Sequence, residues 1–303
     1  MTDKIDTNTR IGIAGVGLMG HGIASNIVRC GFPLVLLKHP GNQPVDDLLH
    51  DGARQADTLQ DIAEQADVII LCVTGTPQIE DILYRADGLL AHLRPGTILI
   101  DCSTAIPSST ERIAADVARA RGLFLDAPMT RTPKEAAQGR LNLIIGGDTA
   151  LFETCRPLLE SFAENLVHAG PIGAGHRMKL IHNFVSLGFS TVLAEAAACA
   201  NRAGIEPRVL LDILANGGGG GIVLDRLAPY IASGDDSGFR FSLSNAHKDL
   251  SYYTTMADES RSFHQMATAI RDTLAMGLQT DPKATMPQLI QILETHADSG
   301  EPG

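Results

Sequence analysis

The chain has 303 residues and a formal net charge of −11, because 35 acidic side chains outnumber 24 Lys and Arg side chains. Its length suggests about two domains, and its composition, 44% hydrophobic and 19% charged, is that of an ordinary globular protein. No cluster of Lys and Arg interrupts the acidic balance. Neither a nucleic acid nor an anionic membrane surface is therefore expected as a partner.

The N-terminus and the cysteines favour a cytoplasmic location. Residues 1–10 are polar rather than signal-like, and the most apolar run, residues 185–200, is expected to fall short of a membrane span. The five cysteines are scattered and lack CxxC or Cys/His spacing, so neither a disulfide framework nor a metal site is predicted. We expect them to be small buried side chains.

A glycine-rich turn follows the first apolar segment of the chain. Residues 11–14 lead into Gly15-Val-Gly17-Leu-Met-Gly20, after which apolar residues recur at helical spacing. Gly15 permits a tight turn, Gly17 lets the backbone approach a pyrophosphate, and Gly20 allows the helix to pack closely. A second apolar run, residues 33–37, follows at the distance of a βαβ unit, so the turn predicts a dinucleotide site.

The residues after that second run indicate which dinucleotide is bound. In NAD-binding versions of this unit, an Asp or Glu usually ends the second strand and takes the ribose hydroxyls. This chain has Lys38 and His39 there, which would attract a 2′-phosphate, so NADP(H) is favoured over NAD(H). The alternative is that both residues are solvated and that NAD binds.

Strands and helices continue to alternate up to about residue 170. Buried strands are predicted at residues 68–73, 97–101, 122–126 and 141–145. Thr74, Ser103 and Thr104 follow two of these strands, at the edge where open α/β sheets bind ligands. The same three residues could instead cap helices, because hydroxyl groups satisfy the first N–H groups of a helix.

The pattern changes near residue 170. Residues 179–203 are rich in Ala and apolar on most faces, which predicts a long helix buried between domains or subunits. Only helical segments follow, and the five glycines at 217–221 form either a mobile loop near a cleft or a flexible connection. The predicted fold class is α/β, with a Rossmann-like doubly wound sheet in residues 9–171 and an all-helical substrate and oligomerisation domain in residues 172–303.

Four ordered motifs resemble those of the β-hydroxyacid dehydrogenases. They are the GxGxMG turn, Asp126-Ala-Pro-Met-Thr130, Gly173-x-Gly175-x3-Lys179-x3-Asn183 and His247-Lys248-Asp249-Leu250. The resemblance spans nearly the whole chain, and the family includes 3-hydroxyisobutyrate dehydrogenase, tartronate semialdehyde reductase and relatives of 6-phosphogluconate dehydrogenase. It implies a nicotinamide-dependent dehydrogenase or reductase of a short hydroxy acid, assembled as a homodimer or homotetramer.

The resemblance also implies three residue roles. Lys179 matches the catalytic lysine, which is the general acid when an aldehyde is reduced and the base when an alcohol is oxidised. An apolar helix beside a cofactor could lower the pKa of this lysine enough for that work. Asn183 matches a residue that hydrogen-bonds the substrate, and Lys248 matches a lysine that approaches the nicotinamide when the domains close. A solvated Lys179 is the alternative, but its neighbours leave little polar face.

The predicted substrate loop departs from the family pattern. Most relatives continue Asp-Ala-Pro-Val with Ser-Gly-Gly, whose N–H groups receive the substrate carboxylate, whereas this chain has Thr130-Arg131-Thr132. Arg131 would place a cationic fork beside an anionic group, and a similar Arg-Thr pair occurs in the sulfolactaldehyde reductases. His182 and Ser186 share the helical face of the lysine, although that subgroup prefers Asn at the position of His182. The alternatives are that Arg131 forms a surface or interdomain ion pair and that His182 is a structural histidine.

The sequence therefore predicts an NAD(P)-dependent oxidoreductase that interconverts a short 3-hydroxy acid and its semialdehyde. A sulfonated substrate such as 3-sulfolactaldehyde and a catalytically silent nucleotide-binding protein are the alternatives; an imine reductase is disfavoured because such proteins usually replace the lysine with Asp or Tyr. The predicted catalytic residues are Lys179 and Asn183. The predicted cofactor-binding residues are Gly15, Gly17, Leu18, Met19, Gly20, Lys38, His39, Val73, Thr74, Thr104 and Lys248. The predicted substrate-binding residues are Ser103, Thr130, Arg131, Thr132, His182 and Ser186.

Overall fold

The chain forms two units, Met1–Lys179 and Leu180–Gly303, in a computed structural model that describes residues 4–298. The division falls inside one long helix, α9 (Ala174–Arg202), which begins in the first unit and ends in the second. The domain boundary predicted from the sequence, between residues 171 and 172, lies just before this helix and stays a prediction.

The strands of the first unit form one sheet. They are β1 (Ile11–Ala14), β2 (Leu34–Leu37), β3 (Arg54–Ala56), β4 (Val68–Leu71), β5 (Ile98–Asp101), β6 (Leu123–Asp126), β7 (Met129–Thr130), β8 (Leu141–Gly146) and β9 (Ala163–Gly170). Their order is β3-β2-β1-β4-β5-β6-β8-β7, and β9 pairs with β8. The strands from β3 to β6 in this order are parallel, whereas β8 runs antiparallel to β6 and β7. The predicted Rossmann-like sheet is confirmed.

The central strands are apolar on both faces because helices cover both sides of the sheet. In β4, Ile70 packs into one core cluster and Ile69 into the other, and all four residues of the strand are buried. The helices of this unit that precede α9 are α1 (Leu18–Arg29), α2 (Asp46–His50), α3 (Leu59–Gln65), α4 (Thr76–Tyr84), α5 (Leu89–His92), α6 (Pro107–Arg119), α7 (Pro133–Ala137) and α8 (Thr149–Leu159). This arrangement brings the carboxyl ends of the parallel strands to one edge of the sheet.

The second unit is helical, as predicted. After the rest of α9 it contains α10 (Pro207–Ala215), α11 (Ile222–Ser233), α12 (Leu243–Glu259), α13 (Gln265–Thr280) and α14 (Leu289–Asp298). Leu187, Leu250, Leu274 and Leu289 meet in its main core cluster. The glycine run at 217–221 connects α10 to α11, and Gly221 precedes α11 with a φ of 125°.

Two expectations were wrong, one about the most apolar segment and one about the burial of the cysteines. Helix α9 has 29 residues and a mean hydropathy of 1.3 in its most apolar window, so its length and composition suffice to cross a membrane. Because 56% of that window is buried inside the protein, this is weak evidence for a span. The cysteines are not all buried, contrary to the expectation from the sequence. Cys102 and Cys155 are buried and Cys72 is half-buried, whereas Cys30 and Cys199 are exposed.

An ion-pair group anchors the N-terminal ends of two central strands. Arg10 donates from Nε to Asp67 Oδ2 at 2.9 Å and from Nη2 to Oδ1 at 2.6 Å, and Arg94 Nη2 donates to Oδ1 at 3.1 Å. The hydrogen bonds from Arg10, more than those from Arg94, lower the pKa of Asp67 from 3.8 to about 2. Since the pKa is lower in the folded state, the resulting stabilisation is present above pH 3.8 and is lost as the pH falls towards 2.

We expect Asp67→Asn to lower the free energy of unfolding by about 1 kcal/mol at pH 7. This is less than the free energy that corresponds to the full pKa shift, because solvent screens this exposed group. Urea unfolding at pH 7 and pH 3 measures the effect, and the difference from wild type should shrink at pH 3. Asp87→Asn, which removes a pair with Arg85 at 3.0 Å, is the control and should change little. An effect of Asp67→Asn that is equal at both pH values would contradict the assignment.

Candidate functional site

The glycine turn has the geometry that a dinucleotide requires. Gly15 has a φ of 100°, and a Cβ there would lie 2.2 Å from the carbonyl oxygen of Cys72. A Cβ at Gly20 would lie 2.0 Å from the carbonyl oxygen of Gly15, so both positions need glycine. At Gly17, no described atom lies within 4 Å of where a Cβ would be. Because the N-cap residue of α1 is this glycine, its own side chain does not cap the first N–H groups of the helix. The open space at this helix N-terminus fits a pyrophosphate.

A residue that the sequence analysis missed holds the loop after β2 against the glycine turn. Asn42 Oδ1 accepts from the N–H of Val16 at 3.1 Å, and Asn42 Nδ2 donates to the carbonyl oxygen of Leu37 at 2.9 Å. The only sequence signal was an Asn in a loop next to Pro and Gly, which is typical of many turns. Asn42 thus positions the segment that contains the two predicted cofactor-selecting residues.

Those two residues, Lys38 and His39, are exposed. Lys38 Nζ lies 3.5 Å from Asp57 Oδ1, so the neighbouring strand β3 brings a carboxylate to the end of β2. His39 Nδ1 accepts from the N–H of Gly41 at 3.0 Å. The carboxylate that the sequence of β2 lacks is therefore present in space, in an exposed ion pair.

The turns after β4 and β5 lie together. Ser103 Oγ accepts from the N–H of Val73 at 3.0 Å, and Ser103 is buried. Thr74 is exposed and Thr104 is half-buried. Near the glycine turn, Leu18 is 66% exposed. Met19, also a predicted cofactor residue, is half-buried against the core below the turn. The hydroxyl of Ser103 accordingly has a structural hydrogen bond, and its role as a substrate ligand stays a prediction.

The three residues of the predicted substrate loop are each held by protein groups. Thr130 pairs with Asn142 across β7 and β8, and Asn142 Nδ2 donates to Thr130 Oγ1 at 3.1 Å. Thr132 precedes α7 and forms a capping box with Glu135. These contacts explain why threonine suits both positions in the fold.

Arg131 lies between them with a φ of 83°, a left-handed conformation that favours glycine. Its guanidinium contacts the Glu164 carboxylate on β9 and the carbonyl oxygen of Arg140. The hydrogen bond from Arg131 lowers the pKa of Glu164. In this structure Arg131 thus makes an ion pair within the first unit, and its contact with a substrate stays a prediction.

Lys179 lies on the second turn of α9, and its Nζ donates to the carbonyl oxygen of Met129 at 2.7 Å. The N-terminus of α9 is held by Asp126, whose Oδ1 accepts from the N–H of Gly173 at 2.8 Å and whose Oδ2 accepts from the N–H of His176 at 2.9 Å. A Cβ on Gly175 would lie 2.4 Å from the carbonyl oxygen of Ile144, so glycine is needed for this close approach. The segment from Asp126 to Met129 therefore fixes both the helix start and the lysine.

A second group of polar residues lies in the other unit. Asn183 is 5% exposed; its Nδ2 donates to Asp249 Oδ2 at 2.6 Å, and its Oδ1 lies 3.0 Å from His182 Nδ1. Lys248 Nζ lies 3.2 Å from Asp249 Oδ1. Ser186, one turn after His182 on α9, is half-buried. In the sequence, Asp249 stands out only as part of the motif at residues 247–250. Its burial, which the sequence does not show, requires hydrogen-bond donors and so accounts for this network.

Two family models together match most of the chain. The NAD binding domain of 6-phosphogluconate dehydrogenase matches residues 10–170, and the NAD-binding domain of NADP-dependent 3-hydroxyisobutyrate dehydrogenase matches residues 173–293. A 3-hydroxyisobutyrate dehydrogenase of Pseudomonas aeruginosa is 31% identical over 283 residues, which are 90% of this chain and 93% of that one. The chain belongs to the β-hydroxyacid dehydrogenase family. It is an NAD(P)-binding oxidoreductase that acts on CH–OH groups.

Other relatives of this hydroxyacid dehydrogenase agree. The NAD-dependent L-serine dehydrogenase of Pseudomonas aeruginosa is 36% identical over 222 residues, 73% of this chain and 74% of that protein. The crystal structure of a 3-hydroxyisobutyrate dehydrogenase from Salmonella typhimurium has a TM-score of 0.82, with 26% identity, and covers 94% of this chain and 100% of that one. Both the sequence and the fold of this dehydrogenase are thus those of the family.

We expect Asp126→Asn to lower the free energy of unfolding of this hydroxyacid dehydrogenase by about 1–3 kcal/mol, because an amide cannot accept both buried N–H groups without placing a donor against one of them. Urea unfolding measures the loss. Asp148→Asn is a matched control, since Asp148 also accepts from a helix N-terminal N–H, that of Leu151 at 2.8 Å, but is exposed. Asn caps helices about as well as Asp, so the control should be close to neutral; equal losses in both variants would contradict the role of Asp126.

Proposed function

We propose that this protein interconverts a short 3-hydroxy acid and its semialdehyde, with Lys179 as the general acid and base. The observation that carries the proposal is the placement of Lys179, whose Nζ is held at 2.7 Å from the carbonyl oxygen of Met129, just after the C-terminal end of β6. This hydrogen bond fixes the direction of the amino group, from which a proton can be transferred to a substrate oxygen. The relatives named for L-serine and 3-hydroxyisobutyrate support the substrate class, since each compound has a carboxylate and a 3-hydroxyl group.

In the proposed reaction, the bound nicotinamide supplies or accepts the hydride. Lys179 donates a proton to the substrate oxygen during reduction and removes it during oxidation. Asn183 orients that oxygen through its amide, whose direction is set by Asp249 at 2.6 Å and His182 at 3.0 Å. Ser103 and Thr130 to Thr132 hold the anionic group of the substrate. Lys248 contributes a positive charge on the cofactor side.

The preference for NADP(H) is part of the proposal. Lys38 and His39 are exposed at the end of β2, where their charge can reach a 2′-phosphate. Asp57 opposes this preference because it pairs with Lys38, but the pair is exposed, with side-chain exposures of 64% and 80%, and is therefore weak. A dianionic phosphate competes well with one exposed carboxylate for the ammonium group.

A sulfonated substrate is the second candidate, and Arg131 is the observation that favours it. A guanidinium matches carboxylate and sulfonate oxygens alike, and here it already holds the carboxylate of Glu164. A substrate anion must therefore replace Glu164 or share the guanidinium with it. A panel of succinate, tartronate and methylmalonate semialdehydes and sulfolactaldehyde, each with NADH and NADPH, ranks the candidates. The absence of turnover with all of them would instead support a catalytically silent nucleotide-binding protein.

We also propose a cytoplasmic homodimer or homotetramer without a nucleic-acid or membrane partner. Several large apolar side chains of the second unit are exposed, among them Val185 at 63%, Val192 at 53% and Ile213 at 67%. Burial of such residues against a second copy would stabilise an assembly. Sedimentation of the purified protein measures its size.

We expect Lys179→Ala to lower kcat by at least about 100-fold while the dissociation constant for the cofactor changes little, because general acid–base catalysis supplies about 10²–10⁴-fold. Steady-state kinetics with the best substrate of the panel and a fluorescence titration with NADPH measure the two quantities. Lys283→Ala, at an exposed lysine of the second unit, is the control. Near-normal turnover in Lys179→Ala would overturn the proposed mechanism.

We expect Lys38→Ala to raise KM for NADPH by about tenfold and to leave KM for NADH nearly unchanged, since only NADPH offers a 2′-phosphate to the ammonium group. Asp57→Asn removes the competing carboxylate, so it should lower KM for NADPH by a few-fold. Initial rates with each cofactor measure both effects. Equal changes for NADH and NADPH in the two variants would refute the 2′-phosphate site.

A further inference from the structure

Three buried ionisable side chains at the C-terminal ends of β5 and β6 have no direct part in the proposed reaction. His176, Asp101 and Asp126 are 0%, 1% and 0% exposed. His176 Nε2 lies 3.9 Å from Asp101 Oδ2, and His176 Nδ1 lies 3.9 Å from Asp126 Oδ2. The described residues contain no group of His, Cys, Asp and Glu side chains placed to hold a metal ion, so metal binding does not explain the arrangement.

The hydrogen-bond partners of His176 determine where its protons lie. Nε2 is 3.2 Å from the carbonyl oxygen of Ser103, which can only accept, so Nε2 carries a proton. Nδ1 is 2.8 Å from the hydroxyl oxygen of Thr110, and that hydroxyl donates its single proton to the carbonyl oxygen of Ile106 at 3.2 Å. Placing the hydroxyl proton in that bond leaves Nδ1 to donate to Thr110 Oγ1, and a ring with a proton on both nitrogens carries a positive charge.

The two carboxyl groups suit a cation between them. Asp126 accepts the backbone N–H groups of Gly173 and His176, and Asp101 Oδ1 accepts the N–H of Ser103 at 2.9 Å. Asp101 Oδ2 has no hydrogen-bond partner among the described residues, and burial raises the pKa of Asp101. The ring charge offsets the cost of burying these carboxyl groups.

The other ionisable groups nearby do not supply that charge. Burial raises the pKa of Cys72 to about 12 and raises that of Cys102, so both thiols are neutral. Arg177 pairs with Glu111, and both of these side chains are more than 40% exposed, at 43% and 47%. Among the described side chains of helix α6, the one that hydrogen-bonds the ring is Thr110, which is uncharged. The imidazole ring of His176 is thus the fully buried group of this cluster that can carry a positive charge.

We propose that His176 is a positioning residue, a doubly protonated ring that ties the loop after β5 to the first turn of α9 and sets the charge that Lys179 experiences. The inference rests on the proposed role of Lys179. Side chains three residues apart on a helix have Cβ atoms about 5–6 Å from each other. A positive charge on the neighbouring ring of His176 disfavours the protonated form of Lys179 and so favours the base needed for alcohol oxidation.

Nuclear magnetic resonance of protein labelled with ¹⁵N-histidine counts the protons directly. The resonances of His176 are those missing in His176→Gln or, if that variant does not fold, those that change in Thr110→Val. We expect one-bond N–H couplings on both ring nitrogens at pH 7.5, and a single protonated nitrogen would overturn the proposal. Thr110→Val removes the acceptor of Nδ1 and should leave a proton on Nε2 alone, whereas Thr110→Ser should retain both.

The pH profile of alcohol oxidation tests the effect on Lys179. In His176→Gln, or in Thr110→Val, the rising part of the kcat/KM profile should move to higher pH by about one pH unit, with KM for the cofactor within about twofold of wild type. His50→Gln, at an exposed histidine, is the control and should not move the profile. Equal loss of kcat at every pH with an unmoved midpoint would show a purely structural role. Failure of the Lys179 role itself would appear separately, as turnover retained by Lys179→Ala while both ring nitrogens remain protonated.

Discussion

The hydrogen bonds from Gly173 and His176 to the carboxylate of Asp126 determine where α9 begins. A negative charge at a helix N-terminus is favourable, and burial strengthens it because no water competes. The same strand end continues through Pro128 to Met129, whose carbonyl oxygen holds Lys179. The start of the 29-residue helix and the position of its lysine therefore depend on one strand end. The glycines at 146 and 175 allow this approach, since a Cβ at either would meet Asp126 at 2.5 or 2.8 Å.

Much of the fold could be predicted from the sequence because the central strands are short, apolar and separated by glycine and proline signals. The strands β3, β7 and β9 were missed for physical reasons. β3 and β7 have three and two residues, too few for a period to appear, and β9 is largely exposed, so its sequence lacks a buried run. Asn42 and His176 were missed as site residues because their roles come from partners distant in sequence, which no local pattern shows.

Arg131 breaks the rule that a left-handed backbone position is occupied by glycine, and it does so in the loop predicted to bind the substrate. Its left-handed backbone costs about 1–2 kcal/mol for a residue with a Cβ, a cost that glycine at this position would avoid. The ion pair with Glu164 is half-exposed and returns only a part of that energy. A strained residue that stability alone does not favour is a reasonable place for a contact with a ligand. The strain at Arg131 thus favours the predicted substrate contact on grounds other than the family resemblance.

In each unit a buried carboxylate helps to hold a predicted catalytic residue. In the first unit Asp126 holds the start of α9, and in the second unit Asp249 holds the amide of Asn183. A buried carboxylate is costly unless donors surround it, so its hydrogen bonds strongly disfavour other arrangements of the groups that make them. Polar groups held in this way need little reorganisation when charge develops on a substrate oxygen. The cost of burying Asp126 and Asp249 is therefore linked to the orientation of Lys179 and Asn183, because the same hydrogen bonds that offset this cost hold the start of α9 and the amide of Asn183.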